Sequence, residues 1–289
     1  MPLCTGLVTA VLTPFDSGGR IDFDYIARHL EFLCNRGVNG VVVSGTNGES
    51  PSMSFSERKE LLRFAVENKQ GLHVIAGTGC PSLPETIELT RAAQAAGADA
   101  ALVVPPFFFK DVSVDGLARY YAGLLAAVDL PVILYNIPSC SGVPIIDKLV
   151  QRLLGISGFA GIKDTSGDPQ RTESFCASFP ELVVYNGTDS LINATINSGV
   201  KGTISGIANA FPELISNTIK ECAVGGGTEL QERVSALSDI YSQYPLFATN
   251  KYALHLRGFP LSHVRPPLVD LSPDQMRSFE AALREQELI

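Results

Sequence analysis

The chain has 289 residues, 45% of them hydrophobic, and a formal net charge of −8. That length and apolar content are enough for a large buried core, and an α/β barrel takes this many residues as one unit. The acidic balance argues against nucleic acid or an anionic membrane as the main partner.

In chain order, eight apolar, β-branched-rich segments read as strands: residues 7–12, 40–44, 73–77, 98–104, 132–135, 159–163, 182–186 and 202–205. Helical periodicity fills the intervals. Residues 22–36 place Ile26, Leu30 and Leu33 on one face, and 54–68 open with Ser54-Phe55-Ser56-Glu57, a cap pattern. Helices are expected next over 84–96, 114–128, 145–154, 170–179, 191–198 and 212–224. Near-continuous apolar strands alternating with helices imply a parallel sheet covered by helices and closed into a (β/α)8 barrel over residues 1–224. A doubly wound open sheet is the alternative, but the turn Thr13-Pro14-Phe15-Asp16 lacks the GxGxxG fingerprint. After Gly225-Gly226-Gly227 the pattern changes to helices over 229–241, 247–256 and 273–285, a C-terminal helical extension spanning 225–289 with Arg265-Pro266-Pro267-Leu268 as its ordered link.

Two further exclusions follow. No uncharged apolar stretch approaches the roughly 18 residues of a membrane span, and the opening Met1-Pro2-Leu3-Cys4-Thr5 has neither the basic flank nor the apolar core of a signal peptide. The six cysteines form no CxxC pair, which suits reduced thiols and a cytoplasmic location better than disulfides or a zinc site.

Chemistry in such a barrel sits at the carboxyl ends of the strands. The sixth strand ends in Lys163, delivering one amine at the end of a buried apolar run. A partly desolvated lysine there can attack a ketone as the free base. The plain alternative is a lysine snorkelling to solvent. Lys59, Lys69, Lys148 and Lys220 lie in polar helical stretches, Lys110 and Lys251 in polar or helical surroundings, and Lys201 starts a strand. The second strand runs into Gly45-Thr46-Asn47-Gly48-Glu49-Ser50, a turn whose N–H groups can hold a carboxylate or simply bond locally. Tyr135 ends the fifth strand, as a general acid/base or a core aromatic. Asp189 and Ser205 follow the seventh and end the eighth, with helix-cap and turn roles equally open. None of the four histidines (His29, His73, His255, His263) falls at a strand's carboxyl end, so zinc-assisted catalysis is not expected. No cofactor is expected either, because an iminium on Lys163 supplies the electron sink.

Taken together, Leu12-Thr13-Pro14-Phe15, Gly45-Thr-Asn-Gly-Glu49, Tyr135-Asn-Ile-Pro138, Gly161-Ile-Lys-Asp-Thr-Ser-Gly-Asp168 and Arg265-Pro-Pro-Leu268 resemble the dihydrodipicolinate synthase / N-acetylneuraminate lyase family over essentially the whole chain. The resemblance implies a (β/α)8 barrel with a C-terminal helical appendage, a homotetramer, and action on pyruvate or another 2-oxo acid through a lysine Schiff base. By motif position, Lys163 matches the Schiff-base lysine and Tyr135 the proton-transferring tyrosine. Thr46 matches the hydroxyl that relays protons and helps hold the pyruvyl carboxylate, with Asn47 and Gly48 beside it.

Departures from the pattern bear on the substrate. Where the synthases continue the tyrosine motif with an arginine that grips an aldehyde's carboxylate, this chain has Cys140. Where they take a second tyrosine from a neighbouring subunit, the stretch is Pro106-Phe107-Phe108-Phe109, with Phe108 expected at the site. The usual Thr-Thr pair is Thr46-Asn47. The segment 183–189 looks more like the sugar-acid lyases, in which Gly187, Asp189 and Ser205, with Thr165, would line a hydroxylated tail. Ser190 replaces the glutamate of the sialic acid lyases. The expected activity is cleavage or formation of a C–C bond to pyruvate, with an aldehyde as partner, on a 2-oxo-3-deoxy sugar acid or hydroxy-oxo acid. The alternatives are the synthase reaction itself, a dehydration through the same iminium, and a non-catalytic ligand-binding barrel.

Overall fold

The computed structural model describes residues 3–289; the first two residues of the opening segment lie outside them. Eight strands, β1 (Gly6–Ala10), β2 (Gly40–Val43), β3 (His73–Gly77), β4 (Ala100–Val103), β5 (Val132–Asn136), β6 (Phe159–Asp164), β7 (Val183–Asn186) and β8 (Gly202–Ser205), pair in parallel in chain order. β8 pairs back onto β1, which closes the barrel. Alternate residues point to opposite faces. One parity of each strand (Val8, Val42, Ile75, Leu102, Ile133, Tyr135, Tyr185 and Ile204) fills the barrel interior. The other (Val41, Val74, Val132, Leu134 and Ile162) packs against the surrounding helices. Side chains buried on both faces are what near-continuous apolar strands require.

The helices are α1 (Phe23–Cys34), α2 (Phe55–Glu67), α3 (Leu83–Ala96), α4 (Val114–Leu125), α5 (Pro138–Ser141), α6 (Asp147–Leu153), α7 (Pro169–Ser178), α8 (Ile192–Thr195), α9 (Pro212–Ala223), α10 (Thr228–Ser242), α11 (Leu246–Leu256) and α12 (Pro273–Glu285). The expected cap of α2 is a full capping box: Ser54 Oγ accepts the Glu57 N–H while Glu57 returns a bond to the Ser54 N–H. Two elements differ from expectation. The helix expected over 191–198 is one short α-turn flanked by 3₁₀ turns, because Thr195 and Ser198 bond backbone carbonyls one turn back and compete with a regular ladder. The unexpected α5 has four residues started by Pro138 at its first position, too short to show periodicity. Among the described residues, no helix is long and apolar enough to cross a membrane.

Candidate active site

β5 and β6 carry the two side chains of greatest chemical interest. Tyr135 and Lys163 are direct partners in the β5–β6 ladder and share the inward parity. Both are buried, at 6% and 4% exposure, and Lys163 Nζ lies 4.1 Å from the centroid of the Tyr135 ring. The neighbouring Asp164 points the other way. Its carboxylate accepts from Asn136 Nδ2 at 2.6 Å, Ser166 Oγ at 2.9 Å and Thr172 Oγ1 at 2.7 Å, so it anchors α7 and is not a counter-ion for the amine.

Gly187, just past β7, makes room for Lys163. A Cβ there would stand 2.0 Å from Thr165 Oγ1 and 2.9 Å from Lys163 Cε, so any side chain would displace the amine or the threonine. Around Lys163 opens a cavity of about 540 Å³, within the usual range for small-molecule sites. Thr46, Asn47, Tyr135, Cys140, Lys163, Thr165, Gly187, Asp189 and Ser190 all line it, so residues from the ends of β2, β5, β6 and β7 meet at one place.

Three buried polar atoms of the lining residues lack a partner among the described residues: Thr165 Oγ1, Asp189 Oδ1 and the Tyr241 hydroxyl. The other Asp189 oxygen accepts the Ile207 N–H at 3.4 Å. Burial pushes the Asp189 carboxyl above the ordinary carboxylate range, against the Ser205 hydroxyl, the Ile207 N–H and the Lys163 charge, which pull it back. Among the lining residues Lys163 is the one cation and Asp189 the one acid.

Three expected positions do not line the cavity. Ser205 is fully buried, and its Oγ accepts the Ala208 N–H at 2.9 Å behind Asp189, whose carboxyl it helps to pull down. The Gly48 carbonyl is turned to Thr13 Oγ1, which donates to it at 2.7 Å. Phe108 is 75% exposed, away from the cavity of its own chain, because the loop between β4 and α4 projects outward. Phe107 instead lines a second cavity of about 360 Å³, with Thr46, Ile137, Cys140 and Phe247 forming the partition between the two.

The outer wall carries no signal in the sequence: α10, α11 and the link between them build it from Ser238, Tyr241, Tyr244 and Phe247. Lys251, expected in polar or helical surroundings, is a further residue the local pattern does not single out. That side chain is 1% exposed and ion-paired with the fully buried Glu49. The one sequence signal for it is its position inside an uninterrupted buried run, Ala248 to Leu254.

Residues 3–286 match the model of the dihydrodipicolinate synthetase family. This chain belongs to that family. It shares 37% identity with a DapA-like lyase of Chloroflexus aurantiacus, covering 96% of this chain and 95% of the relative. With a 4-hydroxy-tetrahydrodipicolinate synthase of Dechloromonas aromatica it shares 35%, covering 99% and 100%. The solved structure of YagE from E. coli K12, a family member in complex with pyruvate, superposes with a TM-score of 0.93 at 30% identity over 99% of both chains. As a dihydrodipicolinate synthetase family protein, the chain is a class I pyruvate aldolase, a carbon–carbon lyase.

Proposed function

We propose that the protein cleaves a 2-oxo-3-deoxy sugar acid or related hydroxy-oxo acid into pyruvate and a neutral, unphosphorylated aldehyde. One observation carries this reading: Lys163 and Tyr135 face a cavity whose distal wall offers hydroxyls, an amide and the unpartnered Asp189 carboxylate oxygen, but no second cation. A substrate tail bearing hydroxyls can donate to Asp189 Oδ1 and Thr165 Oγ1. A tail bearing carboxylate or phosphate would meet a buried acid with no arginine to match it.

In this mechanism the Lys163 amine adds to the C2 carbonyl, the Tyr135 hydroxyl gives its proton to the departing carbinolamine hydroxyl, and loss of water leaves an iminium and a Tyr135 phenolate, which is the base in the next step. Thr46 and Asn47, with their backbone N–H groups, hold the C1 carboxylate. The Tyr135 oxygen takes the proton of the C4 hydroxyl, the C3–C4 bond breaks, and its electron pair enters the iminium as an enamine. The aldehyde departs, C3 is protonated, and water returns pyruvate and the free amine. Synthesis runs the same steps backwards.

The synthase reaction named for the Dechloromonas relative is the second reading, disfavoured by Cys140 at the arginine position. Phe108 and Phe109 are 75% and 64% exposed, which supports a homotetramer in which a neighbouring copy covers them. A cytoplasmic location agrees with six free thiols. The test is a panel of 2-oxo-3-deoxy acids assayed for pyruvate release, beside aspartate semialdehyde plus pyruvate assayed for condensation. Efficient condensation with no cleavage of any panel member overturns the proposal, and an intact dehydrated skeleton assigns dehydration instead.

A further inference from the structure

The turn carrying Thr46 and Asn47 is bracketed by two residues in a backbone region that side chains ordinarily avoid. Ser44 has φ 59° and Glu49 φ 53°, and both are buried at 1% exposure. Such a conformation in a non-glycine residue persists only where its surroundings over-determine it.

At each end the determinant is a buried cationic side chain from another element. Ser44 Oγ accepts Arg58 Nε at 3.0 Å, and Arg58 Nη2 donates to the Gly77 carbonyl at 3.0 Å, tying the ends of β2 and β3 to α2. Glu49 Oε1 accepts Lys251 Nζ from α11, and Glu49 Oε2 accepts the Arg265 N–H at 3.1 Å. Lys251 Nζ also donates to the His263 carbonyl and lies 4.4 Å from the Phe15 ring centroid. Its contacts are thus with Glu49, His263 and Phe15, and it is absent from the lining of the catalytic cavity. Within the turn, the Glu49 N–H donates to the Thr46 carbonyl at 2.9 Å and the Ser50 N–H to the Gly45 carbonyl at 3.3 Å. Held at residues 44 and 49 and cross-braced between, Thr46 and Asn47 have little freedom to move.

A buried ion pair is weak evidence of stabilisation, because the cost of desolvating both charges offsets their attraction; fixing one geometry is the better-attested use. We propose that Glu49 and Lys251 are positioning residues. Their ion pair locks the 44–49 turn so that Thr46 and Asn47 meet the substrate carboxylate, which makes the C-terminal extension part of the anion anchor. This rests on the reading of that turn as the carboxylate site.

The test compares two ketones that differ only at the anchored group. Borohydride trapping on Lys163 is measured with pyruvate and with pyruvamide, whose neutral amide replaces the carboxylate, in the full-length chain. The variant E49Q/K251M removes both charges together and strands neither. The pyruvate trapping rate is expected to fall about tenfold or more, because a small displacement of positioning groups has effects of at least that size. The pyruvamide rate should change by less than about twofold. E49Q is the second variant: it keeps the length and hydrogen-bonding capacity of the Glu49 side chain toward Lys251 and the Arg265 N–H and removes only the charge of the pair, and it should move the two rates in the same unequal way. It decides the matter should the double variant not fold. An equal loss with both ketones reduces the pair to a structural support and overturns the inference, as does an unchanged pyruvate rate. Absence of trapping in the wild-type protein overturns the Schiff-base reading itself and this inference with it.

Discussion

Lys163 Nζ stands 4.1 Å from the centre of the Tyr135 ring, and the two residues are direct partners across the β5–β6 ladder. Strand register therefore fixes their backbones side by side and brings both side chains to the same face of the barrel. In the proposed mechanism, preorganisation of this kind lets Tyr135 handle the proton while Lys163 forms the covalent bond.

Pyruvate with borohydride should therefore reduce an imine at Lys163, located by peptide mapping. Lys163→Ala should lose essentially all turnover. Tyr135→Phe should keep its fold by circular dichroism and lose about 10²- to 10⁴-fold in rate, the usual contribution of a positioned acid/base. A near-normal rate in that variant would assign the proton to another group, with a water held by Thr46 the first candidate.

Gly187→Ala probes the space beside the amine. Its Cβ would fall 2.0 Å from Thr165 Oγ1, 2.9 Å from the Asp164 carbonyl and 2.9 Å from Lys163 Cε. Displacing the nucleophile by about 1 Å costs on the order of 10²-fold, so kcat/KM should drop at least that far. Wild-type kinetics in the folded variant would show that the Lys163 chain is free to move aside.

Cys140 borders the cavity, and the motif resemblance implies an arginine that grips a carboxylate at this position in the synthases. Cys140→Arg is expected to raise the use of a carboxylate-bearing aldehyde and to depress that of a neutral polyhydroxy aldehyde. Steady-state condensation assays with both acceptors read the ratio. If it does not move, the tail is oriented elsewhere on the wall.

Asp189→Asn removes an acceptor from the wall without changing its shape. A site built to bond a hydroxyl discriminates strongly, so cleavage of hydroxylated substrates should fall far more than borohydride trapping of pyruvate, which lacks the tail. The stability effect has the opposite sense. The Asp189 carboxyl is raised by burial, so the native state holds its proton more tightly than the unfolded chain does. That contribution is present below the ordinary carboxylate value and is lost as pH rises through the raised one. Thermal melts should show the asparagine variant gaining on the wild type across that interval, and parallel melting curves would contradict it.

Arg265 forks onto Glu57, with Nη2 to Oε1 at 2.6 Å and Nη1 to Oε2 at 2.9 Å. Those bonds hold the Glu57 carboxyl down at about 2, against an ordinary 4.5. A depressed carboxylate stabilises the fold above its unfolded value, and that part is lost as pH falls from about 4.5 to about 2. Glu57→Gln should melt a few degrees below the wild type near neutrality, a modest effect because Glu57 is 31% exposed. The gap should close near pH 2, and a gap that persists there would place the effect outside this ion pair.

What the sequence determined by itself is the part governed by local pattern. Apolar runs bounded by turns became eight strands, Ser54 and Glu57 became a capping box, and Lys163, Tyr135 and Thr46 stood at strand ends, where a parallel barrel gathers its chemistry. These features repeat at the period of one strand or one helix, so a reader of the chain meets them as neighbours. What only the tertiary structure decided lies in contacts between residues far apart in the chain. Ser205 turned out to stand behind Asp189, Phe108 to face outward, and α10 and α11 to wall the cavity. Glu49 and Lys251 are 202 positions apart, and each reads locally as an ordinary surface charge. Their burial follows from how α11 closes over the barrel mouth, and no period in the sequence encodes that approach.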